Sequence, residues 1–222
     1  MAVTLFDVAP VLILVGFVAI GCLGVPAYAR QSESQSAEAR VATNVTALIT
    51  GQGYAFEEHA VQTLDDYILA IQRIPYGLAG PSADGAKRPV AVLQHGIVDS
   101  AATWVVNDNT LSLAFILADA GYDVWMPNAR GNTYSTGHAS YSVSDLSYWA
   151  FTHDDHGTMD LPAVLDYVTE TAGVASVGYV CHSQGCTSLF IGLSAAKDAE
   201  TMRSKINSVS MLAPVTYMAH QG

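Results

Sequence analysis

The sequence predicts an α/β fold, with a mostly parallel, buried sheet and helices flanking it. Three observations predict it. Short apolar runs end in glycine or turn residues, and each is followed by a segment with apolar residues at helical spacing. Strands that alternate with helices imply parallel pairing, because parallel neighbours need a crossover connection. The 222-residue chain is 50% apolar and 13% charged, which suits one globular domain with a real core and argues against disorder.

Taken in order, the chain opens on an apolar stretch with no charge from Val8 to Ala29, closing in Ala27-Tyr28-Ala29, the small-x-small pattern of signal peptidase sites. Residues 1–29 are therefore expected to be a cleaved signal peptide. Against that, the leading "MAVTLFD" carries Asp7 and no Lys or Arg. The alternative is a membrane anchor over residues 8–29. Residues 30–44 are polar without period and read as a mobile leader, so the domain is expected over 45–222. Asn44-Val45-Thr46 is a glycosylation sequon and fits a secretory route.

"HAVQTL" and "YILAIQRI" are rich in β-branched and aromatic residues, and Asp65-Asp66 between them is turn chemistry, so the pair predicts a hairpin. "GLAGPSADGAKRP" is a surface loop. "PVAVLQHG" reads as a strand buried on both faces, "NTLSLAFILADAG" as a helix stopped at Gly121, and "YDVWMPNARG" as the next strand and its exit. A helix is expected to start near Asp160 and Pro162, since proline is tolerated in a first turn. "VASVGYVCHS" is a strand, "QGCTSLFIGLSAA" a helix and "INSVSMLAPV" a last strand.

The formal charge is −11, from 20 acidic and 9 basic residues, with no basic cluster, so nucleic acid is excluded as the expected partner. Of three cysteines, Cys22 lies in the expected signal. Cys181 and Cys186 flank Ser183 too closely to suggest a disulfide framework, and both read as small buried residues.

Ser183 sits between the strand "VGYV" and a helix, in "CHSQG", one residue away from the Gly-x-Ser-x-Gly elbow of serine hydrolases. A sharp turn there exposes the hydroxyl, and the helix N-terminus offers free N–H groups to a developing oxyanion. Gly185 meets the need for a small residue; Cys181 stands where the first glycine would be. The alternative is an ordinary serine helix cap. "LQHGIVDS" puts His95-Gly96 at the end of another strand on the same sheet edge, like an oxyanion-hole segment, or else a plain terminating turn.

These stretches resemble the acid lipase family, the gastric and lysosomal acid lipases of the α/β-hydrolase fold. "EEHAVQTLDDYILAIQRIPYG", "VLQHGIVDSAATWV", "LAFILADAGYDVWMPNARGNTYSTGH", "YWAFTHDDHGTMDLPAVLDYV", "YVCHSQGCTSLF" and "LAPV" run in that family's order from about Gly53 to Val215. The resemblance implies Ser183 as nucleophile, with the backbone N–H groups of Ile97 and Gln184 as the oxyanion hole. It implies lipid esters (triacylglycerols or sterol esters) met at a lipid–water interface, no metal or organic cofactor, and a secreted or lysosomal location. Relatives carry glycine at the positions of Cys181 and, usually, Asp66.

Other groups read differently. His182 is expected to point away from its neighbour Ser183. The "HDDH" run, His153 to His156, invites a metal reading, but the matching family segment precedes a helix and binds none. Arg130-Gly131-Asn132 is expected to pack near the pocket, and Trp104, Trp125 and Trp149 to serve as core or pocket wall.

A serine hydrolase of this fold needs a downstream Asp or Glu and then a His. No residue after Ser183 fits either role, and His220, the one later histidine, follows the last strand too soon. The expectation is a fold truncated after about the sixth strand, without the cap and last strands. The alternative function is thus a non-catalytic fragment that binds lipid or protein, with an apolar strand edge open to self-association.

Overall fold

The computed structural model describes residues 44–217. The expected signal, the leader and His220 lie outside them, except for Asn44, which caps the first helix. Its Oδ1 accepts from the Thr46 N–H at 3.1 Å. That helix, α1 (Val45–Gly51), turns Val45 and Ile49 inward; it was not foreseen, because its seven residues show barely two turns of period.

The hairpin forms as β1 (Glu57–Gln62) and β2 (Tyr67–Ile74), antiparallel, with Val61 level with Leu69. Asp66 in its turn has φ +71°, a left-handed conformation that glycine adopts more readily. Then come β3 (Val90–Gln94), α2 (Leu113–Asp119), β4 (Asp123–Pro127) and a two-residue strand, β5 (Gly137–His138), paired with β2. The helix expected near Asp160 and Pro162 is present, with Asp160 at its N-cap and Pro162 in its first turn, and a short helical segment precedes it. A short α3 (His153–Asp155) runs through a π turn (His156–Asp160) into α4 (Leu161–Ala172), which stops at left-handed Gly173. Gly157 permits this, lying so close to α5 (Gln184–Ala195) that a Cβ would come within 2.7 Å of Ile191. The chain continues through β6 (Val177–His182), α5, α6 (Ala199–Ser204) and β7 (Ile206–Leu212).

The sheet order is β1-β2-β4-β3-β6-β7, and β4, β3, β6 and β7 are mutually parallel. Alternate residues of the central strands feed two cores. Val92 and Trp125 point to the face covered by α4, α5 and α6, while Leu93, Val124 and Met126 point to the face covered by α1 and α2. This period-two division between two apolar faces is why the strands read as continuous apolar runs.

One buried charge ties the hairpin to this frame. Arg130, in the loop after β4, has no solvent-exposed side-chain surface. Its guanidinium donates to Asp65 in the β1–β2 turn (2.5 and 3.0 Å) and to Asp160 in the π turn (2.8 and 2.6 Å), and lies 4.0 Å from the Tyr67 ring centroid. Burial opposes the charge on Asp65, but hydrogen bonds from Arg130 and Thr63 outweigh it and hold the carboxyl below its ordinary pKa. Replacing Arg130 by Met strands two carboxylates against apolar surface and is expected to cost about 3–5 kcal/mol in urea unfolding, with Arg130→Lys recovering only part. A loss below about 1 kcal/mol would contradict this role for the ion pair.

Candidate active site

β3 and β6 are parallel neighbours with Gln94 level with Cys181, so their carboxyl ends open side by side. From β3 the chain passes to His95-Gly96-Ile97-Val98, and from β6 to Ser183, the N-cap of α5. Ser183 has φ +50° and ψ −120°, and its hydroxyl makes no cap hydrogen bond. Its N–H donates to Leu212 O at 3.0 Å, and its carbonyl accepts from Cys186 N–H at 3.0 Å. Val98, β-branched and fully exposed, has φ +51°. Two side-chain-bearing residues held at positive φ on facing loops mark a place where the surroundings override local preference.

Close packing does the overriding. A Cβ on Gly185 would sit 2.5 Å from His95 O and 2.9 Å from Gln94 O, both backbone atoms. A Cβ on Gly96 would sit 3.0 Å from His182 Nδ1 and 3.1 Å from Ser183 Cβ. The two loops therefore interlock through their glycines. His95 braces them: buried, its Nδ1–H donates to Gly96 O at 2.8 Å, and its Nε2 accepts from Ala129 N–H at 3.1 Å. Burial holds its pKa below the ordinary histidine value, consistent with this neutral tautomer, which is assigned from the hydrogen-bond pattern.

The N–H groups of Ile97 and Gln184 border this junction, and among the described residues neither has an acceptor. For Gln184 the reason is general, since the first amide of a helix has no intrahelical partner. Both residues line a cleft of about 780 Å³, whose apolar wall includes Leu48, Val106, Tyr134 and Phe151. His153 and His156 line it too. His153 Nδ1 lies 2.6 Å from Gln184 Nε2, and His156 Nδ1 lies 3.3 Å from Asp160 Oδ2, the helical pairing that an early helix start would produce. No group of three metal-ligating side chains forms among the described residues. Asn132 bonds Asn128 at 2.9 Å and approaches His95, so the Arg130-Gly131-Asn132 loop packs against the cleft as expected. Trp104 and Trp125 are core, whereas Trp149 is 48% exposed, its ring tilted against Phe151 at 6.1 Å between centroids.

The cysteine reading needs correction. Cys181 and Cys186 are both fully buried, but they form a disulfide. The elbow doubles back so sharply that their Cα atoms are 5.1 Å apart, within ordinary bridging distance. An expected secreted chain with two cysteines outside its signal was the available sign. The contact between His153 and Gln184 had no sequence signal, because 31 residues separate them.

The model of the α/β hydrolase fold family matches residues 89–220, and that of the partial α/β-hydrolase lipase region matches residues 45–108. The chain is 47% identical to gastric triacylglycerol lipase of Mus musculus over 78% of its own length and 42% of that protein. It is 43% identical to lysosomal acid lipase/cholesteryl ester hydrolase of Homo sapiens over 79% of its own length and 43% of that protein. It thus spans less than half the length of these relatives. Among solved structures, a bacterial membrane phospholipase A (17% identity, 80% of this chain, 45% of that one) and the Pyrococcus furiosus esterase Pf2001 (18%, 76% and 52%) each share the fold at a TM-score of 0.50.

Gly185 supplies a test of the interlock. Gly185→Ala is expected to cost about 1–3 kcal/mol, because backbone must move. Gly51→Ala, with nothing within 4 Å, should leave the thermal midpoint unchanged or raise it. Equal midpoints for the two variants would refute the packing argument.

Proposed function

Because the chain belongs to the acid lipase family of the α/β-hydrolase fold, we propose that it carries the nucleophile-bearing part of a lipase, acting on carboxylic esters of lipids. Residues 45–222 form part of that hydrolase domain. The observation that carries the reading is Ser183, held at positive φ at the start of α5, directly before Gln184, which with Ile97 lines a partly apolar cleft. Triacylglycerols and sterol esters are the substrates named for the relatives, and the apolar wall suits an acyl chain.

In this reading Ser183 Oγ attacks the ester carbonyl carbon, and the carbonyl electron pair moves to oxygen. The N–H groups of Ile97 and Gln184 donate to that oxyanion. In the intact protein the serine proton would pass to an imidazole base, which would return it to the departing alcohol and leave an acyl-serine for water to hydrolyse. His95 is unsuited to be that base, since both its ring nitrogens are already engaged. A second, less favoured reading is a non-catalytic chain that binds lipid, or pairs with another chain along the edge of β7, which among the described residues pairs only with β6.

The secretory route remains part of the proposal. Residues 1–29 would be removed as a signal peptide, Asn44 would carry a glycan, and the protein would reach the exterior or the lysosome. Asn44 is exposed, and a disulfide persists best in oxidising compartments, which supports that route. Among the described residues no helix is long and apolar enough to cross a membrane. N-terminal sequencing of protein from secreting cells should begin at Arg30; retention of Met1 would remove the cleaved-signal reading.

A fluorophosphonate probe on the full-length protein should label Ser183, and that protein should cleave long-chain esters in preference to short ones. Ser183→Ala should abolish both labelling and hydrolysis. Equal turnover by the chain and its Ser183→Ala variant would leave only the binding reading.

A further inference from the structure

We propose that the Cys181–Cys186 disulfide is a positioning element for the nucleophile, a covalent clasp that holds Ser183 and the Gln184 amide in place. This rests on the catalytic reading of Ser183. The bond closes a short ring through His182, Ser183, Gln184 and Gly185, so it encloses the nucleophile, one expected oxyanion donor and the glycine of closest approach. It joins the penultimate residue of β6 to the first turn of α5, both fully buried.

A ring this short removes less entropy from the unfolded chain than a long loop would, so the consequence argued for it is local. That consequence concerns spacing. Gly185 is already packed against the backbone of Gln94 and His95, leaving no slack on that side of the elbow. On the other side, where a first glycine would let strand and helix approach, the chain carries a cysteine. Two bonded sulfurs occupy less room than two thiols in van der Waals contact, so the bond recovers the close approach that the larger side chain would prevent. Without it the thiols press β6 and the first turn of α5 apart. The segment between them includes Ser183 at φ +50°, a conformation that persists only while its surroundings enforce it.

The clasp therefore acts on the geometry of the reacting group and not on the cleft. Cys181→Ser/Cys186→Ser, which removes the bond and leaves a non-bonded γ-atom at each position, is expected to lower kcat for ester hydrolysis about 10- to 100-fold with KM nearly unchanged. Cys181→Gly/Cys186→Ala, which restores room without a bond, should recover most of that loss. Hydrogen exchange supplies a readout independent of activity: amides of residues 183–186 should exchange faster in the serine variant, while those of the β1–β2 hairpin stay as in the parent. If the serine variant fails to fold, the folded parent is titrated with a water-soluble trialkylphosphine. Phosphorus gives two electrons to the disulfide, water supplies the oxygen of the phosphine oxide and the two sulfur-bound protons, and the elbow amides should then lose protection.

Peptide mapping without reductant should recover residues 181 and 186 in one disulfide-bonded peptide. Free thiols at both positions would overturn the proposal, as would parent-like exchange at residues 183–186 after the bond is lost. So would an equal loss of kcat in the glycine variant, since space would then not be the cause. Absence of Ser183 labelling in the oxidised parent would sink the catalytic reading alone, and the exchange comparison would still decide the clasp.

Discussion

The buried guanidinium of Arg130 is the interaction on which the architecture turns. It joins three segments distant in sequence: the β1–β2 turn through Asp65, the exit from β4 through its own backbone, and the entry to α4 through Asp160. Buried ion pairs are weak sources of net stability, because desolvation offsets most of the attraction. Their stronger effect is to make alternatives unfavourable. Any slip of the hairpin against the sheet, or of the π turn along its helix, would leave a charge unpaired in an apolar surround. Tyr67 beneath the guanidinium and His156 beside Asp160 extend this register to the cleft wall.

With that frame held, the parallel strands β3 and β6 deliver the site. Their shared direction makes both loops emerge at one edge, and their neighbouring places bring His95-Gly96 against Ser183. Glycine is required twice there, at Gly96 and Gly185, because facing backbone and side-chain atoms occupy the space a Cβ would need. Neutral His95 then fixes the first loop from beneath by donating to Gly96 and accepting from Ala129. A site made this way needs no long-range electrostatics to form. It needs exclusion of volume at a few atoms.

Much of this was readable beforehand. The hairpin, the alternating strands and helices, and the serine between strand and helix all have local signatures. Asp66 and Ser183 mark the boundary of such reading. A glycine-tolerant turn can be suspected at Asp66 from its neighbours, but the positive φ of Ser183 is imposed by contacts from β3 and β7. The short helical run from His153 to Asp160, ahead of the expected helix, has no local signature for a related reason. Pro162 marks the first turn of the expected helix, but the π turn before it is held by packing of Gly157 on α5, which no local pattern reports.

The cysteine pair divides the two kinds of knowledge most clearly. By itself the sequence determined the fold class, the order of its elements, the family and the serine at the strand-to-helix turn, because periodicity, turn chemistry and motif spacing are properties of short segments. Only the tertiary structure decided that Cys181 and Cys186 are bonded, that Arg130 is shared by Asp65 and Asp160, and that His153 meets Gln184. Those pairings depend on how sharply a turn doubles back and which strands lie side by side, and distance along the chain does not encode either.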